Sequence, residues 1–213
     1  MYDPPHHKES RQDVLHDFIV KHPLGLLISS GPEGPYADLV PFLLDRDFGA
    51  HGRLRAHIAR ANPQVKRLAE AQRVLVVFQG ADSYVTPSWY ETKRETGKVV
   101  PTWNYVVVQA GGMVRLIDDR GWLAGQVAEL TNVHESGREK PWQVSDAPDA
   151  FIEAQLKGIV GMEIELTDIA GKWKVSQNRP VPDRVGVAEG LDAEPAGTEM
   201  AGIVRRYGGL EPA

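Results

Sequence analysis

The chain has 213 residues, room for one large domain or a domain with an appendage, and 42% hydrophobic with 25% charged residues is ordinary for a globular protein. It contains no cysteine, which excludes disulfides, zinc–thiolate centres, iron–sulfur clusters and thiol nucleophiles. A net charge of −5 argues against a free-standing nucleic-acid-binding domain, whose affinity rests on neutralising phosphates.

Ser10-Arg11-Gln12-Asp13 has the form of a capping box, and Val14, Leu15, Phe18 and Ile19 then share one helical face until Pro23 stops the helix. Residues 24–30 and 36–44 predict a hairpin around Gly31-Pro32-Glu33-Gly34, with Pro41 marking an edge or a bulge. Residues 53–58 predict a third strand, followed by a short helix to about Glu70. Residues 74–78 are wholly apolar, as in a strand covered on both faces. Two further strand pairs are expected, 99–110 with 113–117 across Gly111-Gly112, and 159–166 with 172–176 across Ala170-Gly171. Helices are expected from Asp118 or Asp119 to about Val133, from Pro148 to Lys157, and near 183–191. Residues 192–199 predict a linker, followed by an amphipathic tail with Met200, Ile203 and Val204. Short strands without regularly alternating long helices point to a mainly β, α+β chain whose sheet closes on itself, removing exposed edges. No apolar run reaches membrane-span length and the N-terminus lacks signal-peptide form, so a cytoplasmic protein without membrane contact is expected.

Gly-x-Gly-x-x-Gly, Walker, Gly-x-Ser-x-Gly and His-Glu-x-x-His motifs are all absent. Of the histidines, His6-His7 falls in an expected mobile end and His134 at a helix end, so no metal site is expected. Three stretches carry possible chemistry. Tyr84, Trp89, Tyr90, Trp103 and Tyr105 concentrate rings beside hydroxyls and amides, around a polar loop from Glu91 to Lys98. They either wall a planar ligand or form core. His57-Ile58-Ala59-Arg60-Ala61-Asn62-Pro63 joins a strand end to a helix start. It reads either as an anion grip with an arginine fork, or as an Asn62 cap beside a surface arginine. In residues 172–179, strand alternation sets Lys172, Lys174 and Ser176 on one face and Trp173 and Val175 on the other. That is either a solvated strand face or a basic rim over a ligand. Glu163 and Glu165 read as solvated, and Gly158 to Gly161 as a close backbone approach.

Leu54-x-x-His57-x-Ala59-Arg60-Ala61-Asn62-Pro63, Phe78-Gln79-Gly80, Tyr84-x-x-Pro87-Ser88-Trp89-Tyr90, Val100-Pro101-Thr102-Trp103-Asn104-Tyr105, Pro141-Trp142, Ile159-Val160-Gly161 and Gly171-Lys172-Trp173-Lys174-x-Ser176-Gln177-Asn178-Arg179 together resemble the PaiB-like family of FMN-binding negative transcriptional regulators. The likeness runs from Met1 to about Leu191, so residues 1–191 read as a split-barrel domain with helical additions and 192–213 as linker and tail. The resemblance implies a split β-barrel like that of pyridoxamine-phosphate oxidase, a homodimer, and FMN in the groove between subunits. It implies flavin contacts at Val40, Pro41 and Phe42 by backbone, and at His57, Arg60 and Asn62 for the phosphate. Trp89, Thr102, Trp103 and Asn104 would lie around the ring, with Lys174, Gln177 and Arg179 from the same or the partner chain. Where the oxidase has a longer basic phosphate-binding run, this chain has Arg60. Alternatives to a regulator are a flavin-dependent oxidoreductase, a haem-binding split barrel with His57 as axial ligand, and a barrel whose pocket is empty or takes another planar metabolite. Direct DNA contact is the least supported expectation, since no helix-turn-helix is recognisable.

Overall fold

The computed structural model describes residues 1–70 and 73–210. Two compact units divide the chain. One comprises Met1–Leu15, Gln79–Val108 and Ala170–Ala213, the other His16–Phe78 and Gln109–Ile169. Among the described residues the strands are β1 (Lys8–Glu9), β2 (Leu24–Gly31), β3 (Gly34–Pro41), β4 (Leu43–Asp45), β5 (Arg53–Ala59), β6 (Arg73–Val85), β7 (Thr102–Ile117) and β8 (Ile159–Lys174). The helices are α1 (Gln12–Lys21), α2 (Gln64–Glu70), α3 (Glu91–Thr96), α4 (Arg120–Glu135), α5 (Asp149–Lys157), α6 (Val181–Asp192) and α7 (Thr198–Tyr207). The strands pair in the order β3-β2-β6-β7-β8-β5-β4, with β1 added to β8, in an antiparallel sheet. This is the mainly β architecture with peripheral helices that the sequence predicts. No helix among the described residues is long and apolar enough to cross a membrane.

In the second unit, the β2–β3 hairpin turns through Pro32 and Glu33, with Leu27 opposite Asp38. Alternation along β5 buries Leu54, Ala56 and Ile58 and leaves Arg53, Arg55 and His57 on the other face. Leu27, Val76, Phe78, Met162 and Ile164 are fully buried with them. Each such side chain stabilises the fold by roughly 1.5–3 kcal/mol. Gly25 allows this closeness, since a Cβ there would sit 2.6 Å from Val76 and 2.7 Å from Phe78. Pro41 ends β3 at the outer end of the strand order, and the Phe42 N–H leaves the ladder to donate to the Pro23 carbonyl at 2.9 Å.

In the first unit, α6 and α7 bury Val187, Leu191, Met200 and Val204. Gly186 and Gly190, one turn apart on α6, leave room for Trp89. A Cβ on the first would collide with the Trp89 carbonyl, and one on the second with the indole. Asp183 is fully buried and accepts from both the N–H and the hydroxyl of Thr92, each at 2.9 Å, which fixes the start of α3.

Several local expectations are corrected. Gly111-Gly112 and Ala170-Gly171 are not turns, because β7 and β8 run straight through them. A Cβ on Gly112 would strike the Glu165 carbonyl, and one on Gly171 the Leu15 and Trp173 side chains, so these glycines serve close packing. The expected loop at 91–98 is α3, closed by Gly97 in the left-handed conformation (φ 68°). Lys174 ends β8, so Ser176 lies in a turn with φ 66° instead of on a strand. His7 is 6% exposed in a short 3-10 helix, where a mobile end was expected.

Candidate functional site

In the first unit, β7 presents Trp103, Tyr105 and Val107 on its open face while Asn104, Val106 and Val108 are buried. Trp103 is 54% exposed and meets Tyr84 edge-on, ring centres 5.9 Å apart. Gln79, Asp82, Trp103, Tyr105, Val106 and Val107 line a groove of about 360 Å³. Open aromatic faces beside a side-chain amide suit a flat, polar-edged guest better than a dry core does.

Lys174 stands beside this groove. Its ammonium donates to the Thr102 hydroxyl at 2.5 Å and to the Trp103 carbonyl. Burial pushes its pKa below the ordinary lysine value, and the charges of Lys172 and Arg179 push the same way. Lys172, 7% exposed, donates to the Tyr2 carbonyl at 2.9 Å. The two ammonium groups lie 5.4 and 5.9 Å from the centre of the Tyr105 ring. Pairing of β1 with β8, Lys8 opposite Lys172, carries His7 to the same place. Its Nδ1 is buried with no hydrogen-bond partner. The His7 pKa is lowered by burial first, then by His6, Lys174 and Lys172, against a raising contact from Gln177.

The other expected residues of this unit are engaged otherwise. Asn104 is fully buried, its amide donating to the Ser176 hydroxyl at 3.0 Å and its oxygen lying 3.1 Å from the same hydroxyl. The Gln177 side chain accepts from the Val175 N–H at 2.8 Å and donates to the Trp173 carbonyl, folding onto its own turn. Arg179 stacks 4.7 Å above the Tyr90 ring. Trp89 packs on Gly190 and walls a separate hollow of about 480 Å³ with Tyr84, Thr86, Leu191 and Pro195.

In the second unit, Val40 and Phe42 are each 2% exposed, their side chains in the core. His57 lies on the outer face of β5, its Nδ1 buried without a partner and its pKa lowered by burial. Asn62 accepts from the Gln64 N–H at 2.8 Å, capping α2, and donates to Asp38 at 2.8 Å. Arg60 forks onto Asp118 at 2.6 and 3.0 Å and donates to the Lys157 and Ile159 carbonyls. A phosphate reaching Arg60 would have to displace Asp118, and Asn62 serves as the cap of α2. Glu163, expected to be solvated, is 7% exposed and binds Arg53, Arg115 and the Trp122 indole N–H. It belongs to an ionic network with Asp45, Arg55 and Glu129.

His7 and Gln79 are thus additions to the expected set, while Lys172 and Tyr105 belong to the possible rim and ring wall already read from the sequence. The Lys-x-Lys alternation was a visible signal for Lys172. Nothing in the local sequence placed His7 beside it, because that closeness comes from strand pairing across the length of the chain.

An antiparallel, mainly β chain with helical additions defines a protein of the split-barrel class. The family described as "Putative FMN-binding domain" matches residues 1–168. The chain is 37% identical to "Uncharacterized protein AN0679" of Emericella nidulans, covering 99% of each. It is 30% identical to "Protease synthase and sporulation protein PAI 2" of Bacillus subtilis, covering 96% of each. The FAD and heme binding protein of Mycobacterium smegmatis superposes with a TM-score of 0.58 at 15% identity, over 79% of this chain and 73% of that one, which shows the fold. The chain belongs to the PaiB-like family of FMN-binding split-barrel proteins.

Proposed function

We propose that this protein is a homodimeric, FMN-binding negative regulator of transcription, with the flavin ring on the Trp103–Tyr105 face. The observation that carries the flavin part is the exposed indole beside an ammonium held in place by Thr102 and the Trp103 carbonyl. The residues fit the cofactor. Trp103 and Tyr105 offer ring faces, Gln79 and Thr102 hydrogen-bonding groups for polar edges, and Lys174 a positive charge. When bound, FMN supplies hydride and electron transfer. The chain's residues orient it, and covering by a second copy would exclude water from the exposed Trp103 and Val100. The regulatory part rests on the resemblance to the PaiB-like family, in keeping with the likeness across both chains to PAI 2, a protein named for protease synthesis and sporulation.

The test is FMN titration followed by flavin absorbance, with the oligomeric state measured by light scattering. Wild-type protein should take up FMN, and Trp103→Ala should bind it about five- to 150-fold more weakly, given roughly 1–3 kcal/mol for a stacked ring. Promoter fragments should then bind in an FMN-dependent and strongly salt-dependent manner. Failure to take up FMN removes the cofactor reading. Uptake of FMN with NAD(P)H-driven reduction of an acceptor, and no DNA binding at low ionic strength, makes it an oxidoreductase instead.

A further inference from the structure

Lys172 and Lys174 have no carboxylate partner among the described residues, although one is buried and the other half-buried. A buried cation is ordinarily paired, because desolvation is costly unless an opposite charge offsets it. Here the hydrogen bonds compensate only in part. Lys172 has one acceptor, the Tyr2 carbonyl, and Lys174 two, leaving N–H donors on both ammonium groups. His7 adds a buried, unpartnered Nδ1. Asp3, next to Tyr2 in the chain, forms no ion pair with either lysine.

Like charges are therefore held around one aromatic ring, with the guanidinium of Arg179 close enough to depress Lys174 further. This arrangement costs stability, and an anion bound there would offset the cost. A single carboxylate offers one negative charge. Two ammonium groups and a histidine match a dianion with several acceptor oxygens, which is the chemistry of a phosphomonoester. Tyr105 belongs both to this cluster and to the groove, so the anion and a planar body can be parts of one ligand.

We infer that His7, Lys172 and Lys174 form a phosphomonoester-binding site at the edge of the Tyr105 groove. The inference rests on the reading of that groove as a ligand site, and it moves the anion grip away from Arg60.

The experiment uses the full chain with inorganic phosphate as probe, by calorimetry and thermal unfolding, at ionic strength held constant with chloride. Wild-type protein should bind phosphate saturably. Lys172→Met and the half-exposed Lys174→Gln should each bind it at least about ten-fold more weakly, the effect of losing a charge-assisted bond. Both variants should unfold without phosphate at or above the wild-type temperature, since a like-charge contact has gone. A phosphate response no larger than that of chloride, or variants with wild-type phosphate affinity, overturns the site. FMN against riboflavin identifies the source. If the variants lose the preference for FMN, the phosphate is the flavin's; if that preference survives while inorganic phosphate no longer binds, it belongs to a second phosphorylated ligand, and the site stands in both cases. FMN uptake by wild type with no phosphate response overturns the anion site and leaves the flavin reading intact. Phosphate binding without flavin uptake does the reverse.

Discussion

His57 on β5 and Glu163 on β8 each add to the acid sensitivity of the fold. Burial holds the His57 pKa below its ordinary 6.5, so the unfolded chain binds its proton first as pH falls. The folded state is then penalised progressively below pH 6.5, with no effect above it. His7, also shifted down, acts in the same window. For Glu163, burial alone would raise the pKa, but hydrogen bonds from Arg115 and Trp122 and the charges of Arg53 and Arg115 outweigh it, and the net shift is downward. Its stabilisation is present above the ordinary value of 4.5 and disappears as pH falls through the lower folded value. Urea unfolding of His57→Gln at pH 5 and pH 8 should therefore show less acid sensitivity than wild type. A steeper pH dependence would contradict this account. Glu163→Gln should cost about 1–3 kcal/mol at neutral pH, because the charge-assisted hydrogen bond from Arg115 and the ion pair with Arg53 are lost, while Arg53 keeps Asp45. A loss below about 1 kcal/mol would make the network a surface ornament of the kind exposed pairs usually are.

At the scale of elements, the glycines of α6 and β7 oppose their intrinsic propensities. Alanine is the better helix former by about 1 kcal/mol, yet a methyl at 186 meets the Trp89 backbone carbonyl and one at 190 meets its indole. Overpacking of that kind costs roughly 1–3 kcal/mol. Gly186→Ala should therefore lower the unfolding temperature despite the propensity gain, and more than Gly202→Ala on α7, where a Cβ meets nothing within 4 Å. Equal effects at the two sites would mean that the Trp89–α6 contact is not tight in solution. The same logic explains why Gly111-Gly112 and Ala170-Gly171 read as turns. Glycine is the common residue of both tight turns and close backbone approaches, and its neighbours along the chain do not distinguish them. Only the arrival of Glu165 against Gly112, more than 50 residues away in sequence, decides between them.

For the molecule as a whole, a net charge of −5 governs how any regulatory role would work. Any DNA affinity of such a chain rests on local phosphate contacts, so it should fall with rising salt on a log–log slope proportional to the number of those contacts, which gel-shift titrations read directly. A salt-insensitive interaction would indicate a protein partner in place of DNA. Much of the architecture was legible beforehand. α1, the β2–β3 hairpin, β5, α2, α4, α5 and α6 follow from capping residues, apolar periodicity and turn chemistry, all of which act within a few residues. Of the expected site residues, Thr102, Trp103 and Lys174 are brought together, while Asn104 turns inward to Ser176 and Arg60 outward to Asp118.

The order of residues alone determined the mainly β class, the family and the stretches rich in rings and charges, because alternation, capping and motif matches are local properties of the chain. The tertiary structure alone decided which charges are neutralised. Arg60 and Glu163 found opposite charges and, among the described residues, Lys172 and Lys174 found only neutral acceptors, since ion pairing depends on distances of a few ångströms between strands and helices far apart in sequence.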